Sequence, residues 1–374
     1  MPSIVRIFSL GTLPILFLSL TASVRSQDDE ILGKKKSEWL TILENDENPR
    51  LRKAAVIALG IAGPGRKDIL PALTKSLDKD KAEPVRLQIV TILANVHPND
   101  LRDSLETLTE VLKKKDETAS IRAGAATAIG KLGPNAKPAL TALLAALKEH
   151  DLIKAAAVEA IGRIGPDAAK SAIVEMLPLL KSPDASVRFA TVYAYSRLGP
   201  ESAFVVPDLN LLLNSDPSAV VRHEVAKTFA LFGVDAKLAI PALIKALRED
   251  KSEEVRRQVA QALGKMGMEI KPAVVSMIEV LQKDQDRLVR SHVVRSLSIA
   301  LGADLKEHVK DLAEVLNKDP DGDVRLTIVQ ELGALGPNAI DALKALRDAE
   351  NDVVLQVREA ARAAQKLIMP PKKK

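Results

Sequence analysis

Five histidines, His97, His150, His223, His292 and His308, are the first residues to weigh for chemistry. No two stand four apart and no His-Glu-x-x-His occurs, so the helical spacing that sets two imidazoles on one zinc ion is missing. The glycines Gly60, Gly63 and Gly65 of "GIAGPG" have the look of a phosphate cradle, but dinucleotide binding needs a preceding strand and no strand pattern stands there. In "DPDGDVR" the carboxylates Asp319, Asp321 and Asp323 lie close together, yet Gly322 is misplaced for a calcium loop and the closing Glu is absent. No Gly-x-Ser-x-Gly elbow occurs. The absence of Cys removes disulfides, thiolate chemistry and thiolate-bound metals together. The expectation is a chain without a catalytic, metal or cofactor site.

A different kind of chemistry, recognition, is suggested by the rings. Aromatic residues make up 2% of the chain, yet "SVRFATVYAYSRLGP" alone holds Phe189, Tyr193 and Tyr195, with Phe204, Phe229 and Phe232 downstream. Beyond residue 26 the only other ring is Trp39. Which of these face outward depends on the elements that carry them.

A hydrophobic residue followed by a basic one recurs at Leu51-Arg52, Val85-Arg86, Ile121-Arg122, Ile153-Lys154, Val187-Arg188, Val221-Arg222, Val255-Arg256, Val289-Arg290, Val324-Arg325 and Val357-Arg358, 32 to 36 residues apart. Six positions before the basic residue stands Asp46, Asp80, Asp116, Asp216, Asp250, Asp284, Asp319 or Asp352. The two exceptions carry Lys148 and Ser182, with Asp151 and Asp184 nearby. Most units end on Gly, often as Gly-Pro, as at Gly165-Pro166 and Gly199-Pro200. A period of this length means a solenoid, in which each unit buries its apolar face only against its neighbours.

Each unit reads as two helices, as in "PNAKPALTALLAALKEH" followed by "DLIKAAAVEAIGRIG". Gly ends the second helix by accepting a left-handed conformation, and Pro suits the first turn of the next. The recurrent Asp is expected between the helices, capping the second or reaching an Arg. Strand content is expected near zero.

In its Asp…Val-Arg pair and Gly-Pro junction the chain resembles the HEAT-repeat family, specifically its shorter bacterial units, over roughly residues 36–368. The resemblance implies an all-α, right-handed α-solenoid (α-α superhelix) of about ten stacked HEAT-like helix pairs. It also implies an Asp–Arg ladder along the stack, carried here by the eight Asp residues above with Arg52, Arg86, Arg122, Arg222, Arg256, Arg290, Arg325 and Arg358 among the basic positions. A period near 34 equals that of tetratricopeptide repeats, but those need Trp, Tyr and Phe in every unit.

Counting from the hydrophobic residue before the Arg, apolar residues recur at offsets 4, 5, 7, 8 and 11, which gather on one face at about 100° per residue. Tyr195 and Phe229 at offset 8 and Phe232 at offset 11 are therefore expected in the core, while Arg362 and Gln365 at such positions mark a capping last unit. Offsets 2, 6 and 10 lie opposite. There Phe189, Tyr193 and Arg197 form one line, joined by His223, Lys227, Arg257, Lys265 and Arg295, against which only Glu159 and Glu359 stand. The resemblance places this line on the concave surface, predicting a partner-binding face with a basic skew. Tyr and Arg dominate binding hot spots.

The first 26 residues resemble a secretory signal peptide: Arg6 precedes the apolar run Ile7 to Leu20, and small residues follow. The run is short for a membrane span. Residues 27–35 read as a polar linker, 36–369 as the solenoid and 370–374 as a basic tail. The formal charge of +5 falls to +3 without Arg6 and Arg25, and Lys372, Lys373 and Lys374 account for that remainder. A near-neutral repeat body excludes the global basic field that binds nucleic acid. The expectation is a monomeric, extracytoplasmic scaffold without cofactor or membrane span, binding a protein or peptide, possibly acidic. The alternatives are a HEAT-like enzyme module of the chromophore-lyase or DNA-glycosylase kind, or a structural component of a surface assembly.

Overall fold

The computed structural model describes residues 30–369, apart from the side chains of 167–171. The proposed leader and basic tail lie outside the described residues. Among these, twenty α-helices form ten hairpins: α1 (Lys36–Asn45) with α2 (Pro49–Ala62), α3 (Ile69–Lys79) with α4 (Glu83–Leu93), α5 (Leu105–Lys113) with α6 (Ala119–Lys131), α7 (Leu140–Ala146) with α8 (Asp151–Ile164), α9 (Pro166–Met176) with α10 (Ala185–Leu198), α11 (Val206–Ser215) with α12 (Ala219–Phe232), α13 (Ile240–Glu249) with α14 (Glu253–Lys265), α15 (Val274–Lys283) with α16 (Arg287–Leu301), α17 (Val309–Lys318) with α18 (Gly322–Ala334), and α19 (Leu343–Asp348) with α20 (Leu355–Ile368). The stack is an all-α solenoid with one continuous core of Leu, Val, Ile and Ala.

Local signals fix the helix ends. At the junction after α10, Gly199 takes φ 76°, a value closed to most side chains, and Pro200 opens the short 3-10 segment that leads into α11. Second helices start on side-chain caps from Asn48, Asp184, Ser252, Asp286 and Asp321.

Successive second helices pack more intimately than successive first helices, so the stack curves with the second helices inside. Small residues allow this. A Cβ on Gly162 of α8 would lie 2.6 Å from the Ala194 Cα of α10, and one on Gly130 of α6 would lie 2.8 Å from the Ala160 Cα of α8.

In place of a plain linker, the described part of residues 27–35 forms a two-residue ribbon, Glu30–Ile31 pairing antiparallel with Lys34–Lys35. Leu32 and Gly33 both take positive φ, the turn geometry that suits a tight hairpin. The ribbon covers the first unit: Ile31 is buried and its carbonyl accepts from Trp39 Nε1 at 2.6 Å. At the other end Arg362 and Gln365 reach out to Glu350, and Gln365 also bonds the Leu346 carbonyl. The final unit thus presents polar groups where inner units present Val or Ala at offset 5 and Leu, Ile or a ring at offset 8.

Candidate binding face

The ladder that aligns the units differs from the expected one in three ways. First, the Asp does not cap the second helix. It ends the first helix, and its Oδ1 accepts the backbone N–H two residues on, as Asp250 does from Ser252 and Asp352 from Val354. The cap itself comes from that later residue, Ser252 in this example. The Asp is held from the preceding unit by a forked Arg with bonds of 2.6 to 2.9 Å: Arg52 to Asp80, Arg188 to Asp216, Arg222 to Asp250, Arg256 to Asp284, Arg290 to Asp319 and Arg325 to Asp352. The remaining guanidinium nitrogen bonds the carbonyl at the Asp position of its own unit, Asp216 for Arg222 and Ser182 for Arg188.

Second, Asp116 is exposed and plays no part. A turn through Lys114 shifts the chain by one residue, and Glu117 takes the Arg86 fork at 2.6 and 2.9 Å. Third, the ladder thins around the fourth unit. Arg122 is buried against the Leu112 carbonyl and touches Glu149 at 3.4 Å, while Lys154 pairs within its own helix to Asp151. Among the described residues the ends stay open: Asp46 receives no Arg from a preceding unit, and Arg358 bonds only backbone carbonyls.

Burial opposes charging of Asp80, but the Arg52 guanidinium and the Ala82 N–H outweigh it and hold the carboxyl below its usual range. For Asp352 the hydrogen bond from Arg325 is itself the largest influence, in the same direction.

On α10 the rings divide by side. Tyr195 is fully buried and donates its hydroxyl to the Ile173 carbonyl at 2.8 Å, and burial pushes its titration far upward. Phe229 and Phe232 are buried as well. Phe189 and Tyr193 turn to the inner surface and stack with centroids 6.5 Å apart and planes 12° off parallel. Both are half-buried, so the pair expected opposite the core forms a partly sunken platform, with Phe189 packed against the core. Lys227 Nζ of α12 lies 6.0 Å from the Tyr193 centroid, within cation–π range. Arg197 is exposed one turn further along.

The basic skew is smaller than the sequence suggests. Lys227 is 3.3 Å from Glu224, Arg163 is 2.6 Å from Glu159, and Arg257 forks onto Asp286 at 2.5 and 2.8 Å. Glu159 stands on the same rows, whereas Glu224 lies at another offset and Asp286 in the next unit, outside the three rows. Among the described residues Arg197, Lys265 and Arg295 have no ion-pair partner, and half-buried His223 has none either. Leu231 of α12, 56% exposed at offset 10, stands between Arg197 and Lys265; its signal was an apolar residue among the cations of the middle units, on a row that also carries Ile61, Ile299, Ala334 and Leu367 towards the ends.

No group of three His, Asp or Glu among the described residues could hold a metal ion, and no described helix is long and apolar enough to cross a membrane. The geometry offers a surface, with two stacked rings, a cation on one ring, an exposed Leu and unpaired cations.

A family model described as HEAT repeats matches residues 37–117, 71–151, 140–227, 206–298 and 274–364. No protein of curated function is similar enough in sequence to count as a match. Among solved structures, Kap121p is 15% identical with a TM-score of 0.61, covering 89% of this chain and 44% of that one. The Kap95:Nup1 complex is 15% identical at 0.60, covering 89% and 50%. The karyopherin Kap121p bound to the extreme C-terminus of the protein phosphatase Cdc14p is 15% identical at 0.60, covering 88% and 45%. The chain therefore spans about half the length of these structures, and the likeness is one of fold.

Proposed function

The chain belongs to the HEAT-repeat family, and from that premise we propose that it is a non-enzymatic scaffold binding a protein or peptide along the inner face of its second helices. The observation that carries the proposal is the Phe189–Tyr193 stack with Lys227 against its outer ring and Arg197 beside it. Half-buried rings lose little conformational freedom on binding, because packing already fixes them. They offer apolar contact at the centre of a concave surface, and the unpaired Arg197 and Lys265 favour an acidic partner. Two of the similar structures are titled as complexes with protein, Nup1 and the C-terminus of Cdc14p, which is consistent with this use of the fold.

The same proposal places the protein outside the cytoplasm, as a monomer, through the leader at residues 1–26. The test is paired capture from the extracytoplasmic fraction, read by mass spectrometry with wild-type and Tyr193→Ala baits. A protein retained by the first and lost by the second supports the proposal. Identical capture by both baits refutes the assigned face, and recovery of the native protein only from the cytoplasm refutes export.

A further inference from the structure

From the row at offset 10 we infer that the partner is bound as an extended segment with an acidic side chain at every third place and one apolar side chain among them. The inference rests on the binding face proposed above and adds register and spacing to it. Through the third to seventh units this row reads Lys131, Arg163, Arg197, Leu231 and Lys265, and in none of the ten units does the position carry a carboxylate. Arg163 is engaged with Glu159, whereas Lys131, Arg197 and Lys265 have no acidic partner among the described residues.

Distance sets the period. Packed helices stand about 8–10 Å apart, and Gly130 and Gly162 let α6, α8 and α10 approach closely on the inner side. An extended segment of the polyproline II kind advances about 3.1 Å per residue with three residues per turn, so every third side chain faces the same way about one unit further along. A segment lying across the second helices meets one row residue every third place. The unpaired cations in units three, five and seven, with Arg163 shared with Glu159 in unit four, call for acids, and Leu231, 56% exposed one turn along α12 from Lys227, calls for an apolar side chain in unit six. A nucleic-acid strand fits less well, since it would set its charged backbone against Leu231.

The test is fluorescence anisotropy on the full chain with synthetic peptides in Ser and Gly, made in both directions. One carries Glu at the first, fourth, seventh and thirteenth places and Leu at the tenth; its isomer has the same composition with acids at alternate places. The expected result is about tenfold tighter binding of the spaced peptide, roughly 1.4 kcal/mol. Leu231→Lys, a change at an exposed position, is expected to reverse the choice in favour of a peptide with Glu at the tenth place. Equal binding of the isomers that is still lost in Tyr193→Ala would overturn the register and leave the binding face standing. Unchanged preference in Leu231→Lys would overturn it too. Failure of every peptide to bind would overturn both, and tighter binding of a single-stranded oligonucleotide would reassign the row.

Discussion

The Arg222 guanidinium grips Asp250 of the following unit with two parallel bonds, Nε to Oδ2 at 2.7 Å and a terminal nitrogen to Oδ1 at 2.8 Å. Both side chains are largely shielded from water. Removing one partner leaves a poorly hydrated charge, so Asp250→Ala is expected to cost about 3 kcal/mol, more than the ~1 kcal/mol of a lost cap. Asp46→Ala, where no Arg of a preceding unit reaches among the described residues, is expected to cost about 1 kcal/mol or less. Urea denaturation of both variants checks the contrast, and equal losses would show that the inter-unit fork adds nothing.

Between the fourth and fifth units Lys154 and Ser182 stand where other units have Arg and Asp. The double substitution Lys154→Arg with Ser182→Asp completes the ladder there. It is expected to stabilise by about 1 kcal/mol, with slower hydrogen exchange confined to α8 and α10. A lower denaturation midpoint would contradict this.

Gly162 is a packing requirement of the curved stack. An added methyl would press on the Ala194 backbone at 2.6 Å, so Gly162→Ala is expected to destabilise by about 1–3 kcal/mol despite the better helix propensity of Ala. A rise in thermal midpoint would show that the second helices can separate freely.

Asp286 caps α16 and receives the Arg257 fork, and that hydrogen bond, working against burial, lowers its pKa from 3.8 to about 2. A carboxyl depressed in the folded state stabilises fully above its unfolded pKa and loses that contribution as pH falls from about 4 through 2. With a partly solvated side chain the contribution is on the order of 1 kcal/mol. Carboxyl titration followed by NMR is expected to give a value near 2 that returns towards the ordinary range in Arg257→Ala. An unchanged value in that variant would assign the shift to other groups.

Much of this was legible because the repeat imposes one phase on every unit. Offset 8 alone predicts that Tyr195 is core, and offset 6 alone predicts that Tyr193 is not; both side chains lie where their phase puts them. What escaped were features set by three dimensions or by a local shift of chain. Glu117 replaces Asp116 because a turn moves the register by one residue, and Asp286 neutralises Arg257 from the next unit. The ribbon at Glu30–Lys35 was hidden because its turn is Leu-Gly, where Asn-Gly is the familiar signal.

The most direct measurement is calorimetric titration of an acidic, leucine-bearing peptide into wild type, Tyr193→Ala and Tyr195→Ala, with the thermal midpoint of each. Tyr193→Ala is expected to weaken binding by about 2 kcal/mol, roughly 30-fold, while shifting stability by about 0.5 kcal/mol. Phe189→Ala should weaken binding similarly but cost about 1 kcal/mol of stability, because its half-buried ring packs against the core. Tyr195→Ala should lose about 3–5 kcal/mol of stability through its buried ring and its bond to Ile173. Undiminished affinity in Tyr193→Ala at an unchanged midpoint would contradict the assignment of the inner face of α10 as the binding site.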